Sequence, residues 1–289
     1  MIIINTRENF SKRKPLLFTI LSLILFLIIG IVLNTIFSAI NLSQGLPYVT
    51  ESVTEIILAI MSLFIMKQLG LFSKDLFGKH NLSLGLKLGS FVILTGVVQL
   101  IIFLTLNVNN PMTFTLAPII GAIVYSFAVG VYEEIFMRGL ILQNLMTVFG
   151  HSKRGVYKTL ILASLFFGLA HLINLTHAPL LDTLIQVVYA MTAGIILGAV
   201  FLRTNNLLSV ILLHGVFDLF TYLTNTVYAG HFVSYNLVQY PGIYIGYNLF
   251  LIIGNLVIGL LIARKIKPLK EDISLDVKSN ENQVIDLKV

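Results

Sequence analysis

"FTLAPIIGAIVYSFAVGVYEEIFMRGL", residues 114–140, is an apolar stretch of membrane-crossing length that closes on two adjacent glutamates, Glu133 and Glu134, with Arg138 four positions after the second. About 20 apolar residues let an α-helix cross ~30 Å of hydrocarbon, so the stretch reads as a transmembrane helix. A bilayer penalises each buried carboxylate, and tandem acids inside such a helix therefore point to a polar interior of a helix bundle rather than to lipid.

The rest of the chain repeats the pattern. Hydrophobic residues make up 57% of the 289 and charged residues 11%. Apolar runs at roughly 16–40, 53–72, 86–106, 114–137, 159–177, 182–202, 207–227 and 242–263 predict an all-α, polytopic membrane bundle of about eight transmembrane helices. All 19 Lys and Arg fall in the two tails, in 67–87, in 138–158, or at Arg203, which are the segments on one side of an eight-span topology. The positive-inside rule then places both termini in the cytosol. The basic residues follow topology, so the net charge of +6 does not point to nucleic acid. The first run is longer than the apolar core of a secretory signal and no small-residue cleavage site follows it, so it reads as an uncleaved span. With no Trp, interfacial anchoring falls to Tyr48, Tyr132, Tyr157, Tyr228 and Tyr240. With no Cys, disulfides, thiolate nucleophiles and Cys-ligated metals are excluded. The expected organisation is a cytosolic tail over 1–15, a bundle over 16–267 and a mobile, mixed-charge cytosolic tail over 268–289. The "RTNN" turn predicts a hairpin of the sixth and seventh spans, and Gly194 and Gly198 predict close packing of the sixth.

Most acidic residues lie in tails, loops or span edges, and Glu55 reads as one of the latter, near the outer end of span two. Glu133 and Glu134 in span four, His171 in span five, and His214 and Asp218 in span seven are different. Ionisable groups at these depths mark a functional site by default. If span four leaves the membrane near Arg138, both glutamates lie ~6–8 Å below the inner boundary, His214 ~10 Å deep, and His171 and Asp218 ~16–18 Å deep. His214 and Asp218 share a helix face at i and i+4, as do Phe167 and His171, and Glu134 and Arg138. Each pair has a structural reading as well: Glu134 with Arg138 as a helix-end ion pair, His214 with Asp218 as a local pair, His171 as a hydrogen-bonded core histidine. It is the conjunction of the pairs that favours a site. His80, His151, His177 and His231 lie in loops or at span ends and receive no role.

These residues resemble the motifs of the CPBP family of CAAX-processing and bacteriocin-processing intramembrane peptidases, also called Abi. Glu133, Glu134 and Arg138 match the first motif, Phe167 and His171 the second, and His214 and Asp218 the third, with the likeness covering about 115–225. The resemblance implies an endopeptidase of the multi-pass type in the bacterial plasma membrane, cutting a membrane-tethered peptide or protein near the cytosolic face. It implies that Glu133, in hydrogen-bonded partnership with His171, activates water, while His214 and residue 218 hold the oxyanion. Arg138 and Glu134 would orient the first carboxylate, and Phe167 would line the pocket. The CAAX-processing members usually carry Asn where this chain has Asp218. An ionised Asp only accepts hydrogen bonds, so Asp218 either carries a proton, orients His214, or helps ligate a metal. Glu133, His171, His214 and Asp218 could supply the three ligands of a catalytic Zn²⁺, but no H-E-x-x-H helix is present, and the reading leans to a glutamate-driven water without metal.

Two other classes compete. The same resemblance covers bacteriocin-immunity and regulatory membrane proteins that act without proteolysis, and acid and His residues in a bundle also serve proton-coupled transport. A cluster confined to one half of the bundle, without paired broken helices in repeated halves, argues against the transporter.

Overall fold

The computed structural model describes residues 10–42, 47–112, 114–228 and 239–266, and every regular element among them is helical. The C-terminal tail, most of the N-terminal tail and His231 lie outside these residues. In chain order the helices are α1 (Pro15–Ala39), α2 (Val49–Gln68), α3 (Leu82–Leu88), α4 (Ser90–Leu106) and α5 (Leu116–Glu134). A π-helical segment (Ile135–Leu142) carries α5 directly into α6 (Gln143–Phe149). There follow α7 (Lys153–Ala170), a 3₁₀ segment (His171–Thr176), α8 (Leu180–Thr204), α9 (Leu207–Val227) and α10 (Pro241–Ala263). Among the described residues seven helical stretches are long and apolar enough to cross a membrane, or eight if α3 and α4, bent by 53°, form one span.

Local sequence explains the boundaries. Backbone groups in hydrocarbon must be satisfied within the segment, and unbroken Leu, Ile, Val and Phe runs leave the helix as the solution. Pro15 and Pro241 open α1 and α10, where a missing N–H costs nothing. Ser152 caps α7 by accepting from Gly155 N at 3.1 Å, and Asn206 caps α9 by accepting from Ser209 N at 2.8 Å. Asn205, at φ 49°, ends α8 in the left-handed region that Asn tolerates.

Helix α9 packs mainly on α5 and α4, while α8 lies between α7 and α10. The α5–α9 crossing is a backbone approach made possible by two glycines. A Cβ on Gly130 would sit 3.0 Å from Gly215 N and 3.1 Å from Ile211 O. Small residues at such crossings are the usual way membrane helices gain packing contacts. Because Gly130 precedes Glu133 by one turn and Gly215 follows His214, this contact fixes the distance between the two chemistry-bearing segments. Gly194 meets Ser164 of α7 in the same manner, its added Cβ falling 2.9 Å from Ser164 Cα, as its spacing predicts. A buried network of Gln99, Thr221 and Tyr247 ties α4, α9 and α10: Gln99 Nε2 donates to Thr221 Oγ1 at 2.8 Å and the Tyr247 hydroxyl to Gln99 Oε1 at 3.1 Å.

Three expectations are corrected. The helix of span four does not end near Arg138: it continues to Phe149, and Arg138 lies inside the bundle at 2% exposure. The basic side chain there is buried against Glu134. The "RTNN" turn forms, but α8 and α9 then share few contacts, because each packs on other neighbours. What holds the turn is the loop before α3: Asn206 Nδ2 donates to Gly78 O and His80 O at 2.8 and 2.7 Å, and Asn81 Nδ2 to Thr204 O at 3.0 Å. Finally, α7 starts at Lys153 rather than 159, and its last turn tightens to 3₁₀ at His171.

Candidate active site

Helices α5, α7 and α9 contribute to one cavity of about 370 Å³ inside the bundle. Glu133, Phe167, His171, His214 and Asp218 all line it. Glu134 and Arg138 stand behind that wall, at 0% and 2% exposure.

The geometry is organised around His214. Its Nδ1 lies 2.7 Å from Glu134 Oε1, and the same oxygen accepts from Arg138 Nη1 at 2.6 Å. A carboxylate can only accept, so Nδ1 carries the hydrogen and Nε2 is directed to the cavity. There Glu133 Oε2 and Asp218 Oδ2 each stand 3.6 Å from Nε2. That separation exceeds a direct hydrogen bond and leaves space for a bridging oxygen. Glu133, at 26% exposure, is the more open of the two glutamates.

Phe167 supports three of the groups at once. The Arg138 guanidinium lies 4.6 Å over its ring, and the imidazoles of His171 and His214 meet the ring edge-on at centroid distances of 5.1 and 6.2 Å. His171 Nδ1 is 2.9 Å from Phe167 O, which assigns the hydrogen to Nδ1 and leaves Nε2 as an acceptor toward the cavity. The 3₁₀ segment carrying His171 is tied to α8 by Asn174 Nδ2 donating to Gln186 Oε1 at 2.8 Å. Among the described residues no direct hydrogen bond joins Glu133 to His171: the groups near hydrogen-bond range of His214 are Glu134, Glu133 and Asp218, while His171 Nδ1 is held by its own helix. Glu134 bonds to both Arg138 and His214.

The π-helical segment begins one residue after Glu134 and buries all eight of its residues. A π turn places an extra residue per turn and shifts the side-chain register, and such turns recur at functional sites. Nothing in "IFMRGLIL" announces it. Glu55 was a more accessible omission. It stands six residues into α2, ~9 Å from the helix start, and lines the same cavity. The rule that singled out Glu133 applies equally to an acid at that depth.

Among the described residues, no group of three or more His, Asp and Glu side chains is arranged to hold a metal ion. Both Nδ1 atoms are committed, to a carboxylate and to a carbonyl. That leaves both Nε2 atoms toward the cavity, as in metal-ligating and in non-metal imidazoles alike, and no step is derived through a metal.

No curated protein and no solved structure gives a significant match to this chain. Residues 115–220, the stretch that holds every motif residue, match the family model for type II CAAX prenyl endopeptidase Rce1-like proteins of the CPBP family.

Proposed function

We propose that the protein is an intramembrane endopeptidase that hydrolyses a peptide bond of a membrane-tethered peptide or protein near the cytosolic face. The observation that carries this reading is the meeting of Glu133, His171, His214 and Asp218 on one cavity within the family-matched segment. In this scheme water is held between Glu133 and the Nε2 of His171. Glu133 takes its proton as the oxygen attacks the scissile carbonyl carbon. His214, in its cationic form, donates from Nε2 to the developing oxyanion, and Asp218, protonated, supplies the second donor. Glu133 then returns the proton to the departing amine nitrogen as the C–N bond breaks. Glu134 and Arg138 are positioning residues, holding the imidazole of His214 in the tautomer and direction this requires. The family description names prenyl CAAX endopeptidases, which makes a lipid-tethered C-terminal peptide the first substrate to try.

Purified protein in nanodiscs tests the assignment. Glu133→Gln keeps the shape but removes the base, and hydrolysis of a lipid-tethered peptide is expected to fall by 10²–10⁴-fold while the protein inserts and accumulates normally. Near wild-type turnover by Glu133→Gln overturns the water-activation role, and immunity or regulation untouched by this change favours the non-proteolytic alternative. Reporter fusions after residues 110 and 178 are expected to report the outside, and a cytosolic signal from either contradicts cutting at the cytosolic face.

A further inference from the structure

The cavity has a second end that the peptidase scheme leaves unused. Glu55 of α2, Tyr125 of α5 and Tyr222 of α9 line it together. The two phenol rings are 4.8 Å apart, and Tyr48 packs on both, stacked on Tyr125 at 5.2 Å and edge-on to Tyr222 at 5.7 Å. Glu55 Oε2 is buried and has no hydrogen-bond partner. The charges that act on it are those of Glu133 and Asp218, both of its own sign. Among the described residues lining the cavity there is no Lys or Arg, and the nearby Arg138, its Nη1 bonded to Glu134, is not among the lining residues.

A carboxylate inside a bundle is stable only when paired, and here the protein supplies no partner. Aromatic faces beside it attract organic cations through their quadrupoles. Glu55 and Glu133, the two acids to which the peptidase scheme assigns no resting proton, also favour positive charge on this partly enclosed, low-dielectric wall. We propose that Glu55, Tyr125 and Tyr222 form a specificity subsite for a cationic group of the substrate, an ammonium or guanidinium. It binds that group while Glu133 and His214 act on the bond. The inference rests on the peptidase reading for its substrate, though not for its binding chemistry.

The test uses N-acetylated, lipid-tethered fluorogenic peptides in nanodiscs, with Lys or norleucine placed in turn at each position around the cut. A further peptide with a free N-terminus separates a side-chain cation from a terminal one. At one position, or with the free terminus, wild type is expected to favour the cation by ~10-fold in kcat/KM, expressed mainly in KM. Glu55→Gln should bring that ratio to about 1, while Glu55→Asp, which keeps the charge, should retain most of it. The absence of any cation preference in wild type, or an unchanged preference in Glu55→Gln, overturns the subsite and leaves Glu55 as a protonated wall residue. If wild type hydrolyses none of the peptides, the peptidase reading is what has failed. Equilibrium binding of a dansylated alkylammonium against its neutral alcohol analogue then decides the subsite, through selectivity that Glu55→Gln abolishes or a lack of selectivity that sinks it.

Discussion

Glu134 and Glu55 are both carboxylates held inside the bundle, and their surroundings are opposite. Glu134 has Arg138 and His214 on a single oxygen, within 2.6 and 2.7 Å, and no opening to the cavity. Glu55 lines the cavity, keeps a buried oxygen without a partner, and is acted on only by like charges. The same functional group thus serves as a fixed internal strut at one place and as an unfilled contact at the other. Burial alone does not tell the two apart. What does is whether the protein supplies a countercharge: Oε2 is without a hydrogen-bond partner in both residues, but only Glu134 has a guanidinium on its other oxygen.

Four substitutions can break or sharpen this contrast, and the largest effect is expected on the strut. Arg138→Met leaves the Glu134 charge buried with one partner fewer and should destabilise the folded protein by about 3–5 kcal/mol, read as denaturant unfolding in detergent. Stability within error of wild type would show that Glu134 does not depend on Arg138. Glu134→Gln is milder, because the amide oxygen still accepts from either partner. Losing the charge assistance should remove about 1.5–3 kcal/mol and lower kcat through the loosened His214, with KM little changed. A change confined to KM would contradict its positioning role.

Asp218→Asn sits between the two ends of the cavity. If residue 218 donates to the oxyanion, Asn does so at every pH, so activity should remain and extend to higher pH than in wild type. Chelators should leave both proteins unaffected. A loss of ~10- to 100-fold with restoration of wild type by Zn²⁺ after chelation would instead assign Asp218 to a metal. The smallest expected effect is that of Glu55→Gln on stability. Replacing an unpaired buried acid by a neutral isostere should be neutral or stabilising by about 1 kcal/mol. A loss comparable to that of Arg138→Met would make Glu55 a second strut and erase the distinction.

The span pattern was legible because hydrocarbon thickness and loop charge act on sequence directly, and the three motifs were legible because each is local in the chain. The extension of α5 through the π-helical segment to Phe149 was not, since a buried Arg reads in sequence like a residue at the membrane edge. Only the ion pair with Glu134 shows the difference. The pairing around His214 was hidden for a related reason. Spacing places Glu133 and Glu134 on different faces of the helix, but which face meets α9 is decided by the Gly130–Gly215 approach, a contact between residues far apart in the chain. Glu55 was passed over because its distance from the span end was weighed and its neighbours across the bundle could not be.

The contact between Glu134 and Arg138 also bears on biogenesis. Because the two residues are one turn apart in a single continuous helix, their mutual neutralisation needs no other helix to be in place. An isolated charge raises the cost of leaving the translocon for lipid, and a helix that carries its own countercharge lowers that cost at the moment of insertion. The segment can therefore enter the bilayer during synthesis with only Glu133 uncompensated, before α9 has been translated to bring His214 to it.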